Sequence, residues 1–145
     1  MLKRILLATD GSPSALAAAR FVASLSPDGH GLDLDVIYVM PHPRAYAASR
    51  SSAAVATASV AVAPEVRAAV DDTLAALGPL GASAHVQFAT GLPAEEIVAC
   101  ARRIHADLIV VGKRGRHAAD DLLLGSVCQQ VLLTAPCAVA VAGQV

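Results

Sequence analysis

The chain has no tryptophan, and aromatic residues make up only 3% of its 145 residues. Its core must therefore be filled by Val, Leu, Ile and Ala, which suits close-packed parallel α/β layers. Charge is also scarce, at 16% of residues with a formal net charge of -1. A nucleic-acid binder advertises a basic face, and this balance excludes one overall. The positive charge is clustered locally instead, at Lys113, Arg114 and Arg116. Cysteine is limited to Cys100, Cys128 and Cys137, an odd number without metal-ligand spacing. The expectation is a reduced, cytoplasmic compartment and no metal site.

Long hydrophobic runs are missing too. The apolar stretch at Ile5-Leu6-Leu7-Ala8 is too short for a signal-peptide core. The charge-free run from Ser51 to Ala63 is too short and too weakly apolar to span a bilayer. Neither standard phosphate loop occurs: there is no G-x-x-x-x-G-K-[ST], and no G-x-G-x-x-G follows the first apolar run.

What is present is enough for one domain over 1–145, with 55% hydrophobic residues to fill its core. Five strand-like runs stand out: Ile5–Thr9, Leu32–Val39, Ala84–Phe88, Leu108–Val111 and Ala138–Ala142. Helical patterns lie between them. Ser12-Pro13 reads as an N-cap with Pro at the first helical position, opening a helix to Leu25. Pro64-Glu65 opens a second, stopped by Gly78-Pro79, and Pro93 opens a third to about His105. A last helix spans Ser126 to Thr134, before Pro136. The alternation predicts an α/β fold with a parallel sheet. Residues 41–63, rich in Ala, Ser and Arg without a clean period, read as a mobile loop or insert within the domain.

Two strand ends carry the chemistry. The first run ends in Thr9-Asp10-Gly11-Ser12, and the fourth in Gly112-Lys113-Arg114-Gly115. Nine residues later come Gly125-Ser126-Val127, at the start of the last helix. Glycine lets backbone approach a phosphate, and a helix N-terminus supplies unpaired N–H donors and the positive end of a dipole. Function in such sheets sits outside the C-terminal strand ends, where the winding reverses. If these two strands are neighbours, a carboxylate on one wall faces an anion nest on the other. Asp10 could accept from a ribose hydroxyl or an adenine amine; it could also cap the first helix.

At this point the chain resembles the universal stress protein family over essentially its whole length. The resemblance rests on Ile5-Leu6-Leu7-Ala8-Thr9-Asp10-Gly11-Ser12, on Gly91-Leu92-Pro93-Ala94-Glu95-Glu96-Ile97 and on Ala106-Asp107-Leu108-Ile109-Val110-Val111-Gly112. It is completed by G-x-x-G-x9-G-S at Gly112, Gly115, Gly125 and Ser126, with Val127 and Ala135-Pro136-Cys137. The resemblance implies a doubly wound, adenine nucleotide alpha hydrolase-like fold with a five-stranded parallel sheet of order 3-2-1-4-5. It also implies a homodimer through the C-terminal strand, an unidentified protein partner, and ATP binding by members with the full glycine pattern. AMP, ADP and cyclic AMP are the other adenine nucleotides to consider. Carried over, Asp10 would contact the adenosine end, Val39 would pack near adenine, and Gly112 and Gly115 would line the ribose–phosphate path. Gly125, Ser126 and Val127 would hold phosphate. With Thr9 beside Asp10 and the cations Lys113, Arg114 and Arg116, these are the candidate nucleotide-binding residues.

Departures from the family pattern matter as well. Arg116-His117-Ala118-Ala119-Asp120-Asp121 replaces the small residues usual between the second and third glycines. Two carboxylates there would repel a triphosphate unless Mg²⁺ intervenes or they point away, and first-turn helix acids are an alternative reading. Cys128, near the start of the last helix, is a buried small hydrophobe or a redox sensor with a lowered pKa. No activated nucleophile is recognisable, so no catalytic residue is assigned. Three readings follow: an ATP-binding regulatory or stress-response protein, a nucleotide-free member acting through dimerisation and protein contacts, and a slow ATP hydrolase or self-phosphorylating protein.

Overall fold

The computed structural model describes residues 2–40, 55–56, 62–115 and 124–143. Its sheet grows from runs that have no polar side to show to water. In β1 (Arg4–Ala8), Ile5, Leu6 and Leu7 are fully buried. In β2 (Asp33–Met40) every residue from Leu34 to Val39 is buried. Such runs must be covered on both faces, and parallel pairing with helical crossovers does this. β1 pairs in parallel with β2 on one side and with β5 (Leu108–Gly112) on the other. β4 (His85–Thr90) extends the sheet beyond β2, and β6 (Ala138–Ala142) extends it beyond β5, both in parallel. Counted in chain order, these five strands have the expected order 3-2-1-4-5. One element was not expected. Val55–Ala56 forms β3, which pairs antiparallel with Ala89 and Phe88 at the outer edge of β4. The rest of the 41–61 stretch lies outside the described residues.

Helices cover both faces. α1 (Pro13–Leu25) starts at the Ser12 N-cap, whose hydroxyl accepts from the Ala15 N–H at 3.2 Å. It buries Ala18, Ala19 and Val22 against Ile5, Leu7, Val36 and Val110. α2 (Pro64–Ala76) lies beside it, followed by a short turn of helix, α3 (Pro79–Ser83), that the sequence reading missed. Gly81 makes α3 possible here: a Cβ at that position would overlap the Leu74 carbonyl of α2. On the opposite face, α4 (Pro93–Ile104) and α5 (Ser126–Thr134) bury Ala94, Ile97, Ala101, Cys128 and Val131 against Leu6, Ile37 and Ile109. α4 ends one residue before the expected stop, because His105 takes a left-handed conformation (φ 55°) that redirects the chain into β5.

The N-terminal ends of the strands carry an ion cluster. Asp107 accepts the Lys3 and Arg4 N–H groups, both at 2.9 Å, and ties the start of β1 to the start of β5. Those two backbone bonds, that from Arg4 first, hold its carboxyl below the usual carboxylate range. A carboxylate with a depressed folded pKa adds stability above its unfolded pKa and loses it as pH falls through the folded value. The urea midpoint of Asp107→Asn should accordingly change less between about pH 5 and pH 2 than that of the parent chain. Equal acid sensitivity in the two proteins would contradict this role for Asp107.

Candidate functional site

The sheet order makes β1 and β5 neighbours, so the chain segments leaving their C-terminal ends face each other. The winding direction reverses between these strands, since α1 and α2 cover one face and α4 and α5 the other. After β1, the chain turns sharply. The Asp10 Oδ1 accepts the Ser12 N–H at 2.9 Å, and Gly11 adopts φ 78°. Asp10 therefore shapes the turn, while Ser12 does the capping. The other carboxylate oxygen, Oδ2, faces the opposite segment: a Cβ on Gly115 would stand 3.1 Å from it. The expected apposition of Asp10 with the glycine segment is thus present.

The three glycines of the pattern differ in how closely they are packed: Gly112 has no room for a side chain, Gly115 is tight against Asp10, and Gly125 sits at ordinary contact distance. At Gly112 a Cβ would lie 2.8 Å from both Ala15 N and Ser14 C, so the end of β5 packs directly on the first turn of α1. At Gly125 it would lie 3.4 Å from Arg114 Cα and 3.5 Å from Gly115 N. The Gly125 N–H donates to the Lys113 carbonyl at 2.8 Å, and the Lys113 N–H donates to Ala142 at 2.6 Å. These bonds stack the 113–115 segment between the end of β6 and the start of α5. The Ser12 hydroxyl adds a link to the Arg114 carbonyl at 3.4 Å.

α5 begins with Gly125 as its N-cap and has no side-chain cap, in contrast to α1. Its first-turn N–H groups, beginning with Ser126 and Val127, are the donors that a helix start leaves for an anion. Ser126 is exposed, whereas Val127 packs partly into the core cluster that contains Val39, Ala8 and Val111. Val39 is 9% exposed near the C-terminal end of β2, on the α4–α5 side of the sheet. The Lys113 side chain runs along Gly143, toward the edge formed by β6. Arg116, His117, Asp120 and Asp121 lie outside the described residues. Cys128 is buried, and burial pushes its thiol pKa up, opposite to what redox sensing requires. Of the two readings, the buried small hydrophobe is the one that holds, because packing outweighs the helix start.

The structure adds one residue that the sequence did not point to. Thr73, fully buried on α2, donates its hydroxyl to the Ala69 carbonyl at 2.8 Å and lies 2.8 Å from the Thr9 hydroxyl. Because the Thr73 proton is committed to Ala69, the Thr9 hydroxyl is the donor between them. Thr9 Oγ1 in turn accepts the Gly11 N–H at 3.2 Å. A directed relay thus runs from Gly11 through Thr9 and Thr73 into α2, and it braces the Asp10 turn from below. Thr9 acts here as a support. The available signal was a lone Thr on the face of α2 that buries Ala69 and Val70.

The geometry defines a class: an open, doubly wound α/β protein with a glycine-built crevice at the reversal point. The comparisons supply the family. A model described as the Universal stress protein family matches residues 1–143, and the chain belongs to that family. It is 37% identical over 139 residues to a universal stress protein of Thermus aquaticus, covering 96% of this chain and 97% of the relative. It is 29% identical over 143 residues to one of Methanocaldococcus jannaschii, covering 97% and 82%. Solved structures share the fold. A hypothetical protein solved as a test case of structural genomics superposes with a TM-score of 0.73 at 22% identity, covering 100% of this chain and 98% of its own. A universal stress protein in complex with cAMP gives 0.63 at 24% identity, covering 97% and 95%. One from Arabidopsis thaliana with AMP bound gives 0.63 at 15% identity, covering 99% and 92%.

The relay yields a test. Thr73→Val keeps the shape of the side chain but leaves the Thr9 proton without its acceptor, and should lower unfolding free energy by about 1–3 kcal/mol in urea. Thr73→Ser keeps the hydroxyl and should cost less than Thr73→Val. A Thr73→Val midpoint equal to that of the parent chain would show that the relay is not part of the fold's stability.

Proposed function

We propose that the chain binds an adenine nucleotide in the crevice between β1 and β5, and that occupancy tunes its association with a second copy or a protein partner. The observation that carries this reading is the contact of Gly115 with the Asp10 carboxylate across two adjacent strand ends. A carboxylate beside a wall with no side chains suits a ribose or adenine, with Val39 on the apolar side. Gly112 and Gly115 leave a path, and Gly125, Ser126 and Val127 offer backbone donors to phosphate. Lys113 and Arg114 bring positive charge to the segment between Gly112 and Gly115, and Arg116 follows them in sequence. The fit rests on Gly115, where a Cβ would press on the Asp10 carboxylate at 3.1 Å. The two ligand-bound neighbours contain cAMP and AMP, which supports an adenine ligand.

ATP is the nucleotide this reading favours, with Mg²⁺ as the ion that would offset Asp120 and Asp121. The protein then works as a cytoplasmic regulatory or stress-response module, not as an enzyme with assigned catalytic residues. A homodimer through β6 accords with the place of that strand at the edge of the sheet. The Asp120-Asp121 pair, absent from the usual small-residue segment, favours the second reading, in which the protein acts without nucleotide.

Calorimetry with ATP, ADP, AMP and cyclic AMP separates the two. Saturable heat with at least one of them is expected. Gly115→Ala, which would push on Asp10, should weaken that binding about tenfold, or about 1.4 kcal/mol. Absence of heat from all four at high-micromolar protein would overturn nucleotide binding. Equal affinity in Gly115→Ala would remove Gly115 and Asp10 from the site.

A further inference from the structure

We propose that the outer face of α4 and α5 is a self-complementary interface that joins two copies of this chain about a two-fold axis. It lies on a helix face, separate from the nucleotide crevice and from the β6 edge, and stands independently of the nucleotide reading.

Three observations carry it. First, Leu133 on α5 is 85% exposed, the most exposed large hydrophobic side chain among the described residues. It walls a shallow groove whose floor is Ala94 and Val98 of α4. Leu133 and this groove together offer a second copy apolar surface to cover. Second, the outward stripe of α4 is Glu95, Ala99 and Arg102, all exposed and spaced i, i+4, i+7 on one side of the helix. Ala99 at its middle lets a second helix approach closely. Third, the charges on this stripe match themselves. Glu95 and Arg102 lie seven residues apart, about 10.5 Å along the axis. Neither has an ion pair among the described residues.

A two-fold axis midway between them, at Val98 and Ala99, makes α4 antiparallel to its copy. Each Glu95 then meets the Arg102 of the other protomer, giving two equivalent ion pairs at the rim. An isologous contact requires this kind of patch, in which residue i meets j and j meets i. A parallel arrangement would instead set Glu95 against Glu95 and Arg102 against Arg102. The charges thus select orientation and register, while Leu133 and Ala99 provide the apolar contact. A second isologous surface beside one at β6 would make a dimer of dimers, or an open filament if the axes do not close.

Sedimentation across a range of protein concentrations, with circular dichroism as the check on folding, tests this. Glu95→Arg and Arg102→Glu should each lower the assembled mass twofold, and the double variant should regain it, because the pairs re-form with signs exchanged. Ala99→Cys, near the axis, should give an oxidant-dependent disulfide between copies that the parent chain does not form. The proposal is overturned if the parent chain is monomeric at every concentration, or if the folded single variants keep the parent mass. It is equally overturned if the folded double variant fails to regain that mass, or if Ala99→Cys does not cross-link.

Discussion

Gly112 stands where the end of β5 meets the first turn of α1, and a Cβ there would lie 2.8 Å from backbone atoms of Ser14 and Ala15. That approach is the constraint on which the crevice rests. With a side chain at this position, β5 and α1 would have to separate, and the 113–115 segment would move with them. Gly115 extends the condition in part, since a Cβ there would stand 3.1 Å from the Asp10 carboxylate, while Gly125 meets Arg114 at ordinary contact distance. The end of β5, the first turn of α1, the Asp10 turn and the start of α5 thus meet closely at this end of the sheet. The main chain there is held in place by Gly125-to-Lys113 and Lys113-to-Ala142 hydrogen bonds.

The two ends of the sheet have been given different chemistry. At the N-terminal ends, carboxylates are occupied by the protein itself: Asp107 binds two backbone N–H groups, and buried Asp35 accepts from Gln87 at 3.0 Å beside Arg4. At the C-terminal ends, Asp10 spends one oxygen on its own turn and turns the other to the glycine segment. The Thr9–Thr73 relay supports that turn from the buried side and joins it to α2. The polar groups at the two ends are thus separated by the length of the strands.

Much of this was legible in the sequence because single residues carry strong local rules. Ser12-Pro13, Pro64, Pro93 and Gly125-Ser126 each mark a helix start to within a residue. The buried runs of β1, β2 and β5 could hardly be anything but interior parallel strands. What escaped reading depends on contacts between distant segments. β3 is two residues long and exists only as a partner of β4, and α3 is held by the close approach of Gly81 to α2. Thr73 gains its meaning from Thr9, 64 positions away. The pKa of Cys128 follows the core around it more than its place at a helix start. Which side chains meet at the crevice was legible only once β1 and β5 were known to be adjacent.

The central claim is that the crevice formed by the Asp10 turn, the 112–115 segment and the start of α5 is where an adenine nucleotide sits. Titration of isotopically labelled protein with ATP, followed through backbone amide resonances, tests it most directly. The account predicts shifts at Gly11, Gly112, Gly115, Gly125, Ser126 and Val127, with Asp35 and Asp107 at the far end of the sheet unmoved. Shifts confined to the far end, or no shifts at saturating nucleotide, would contradict it.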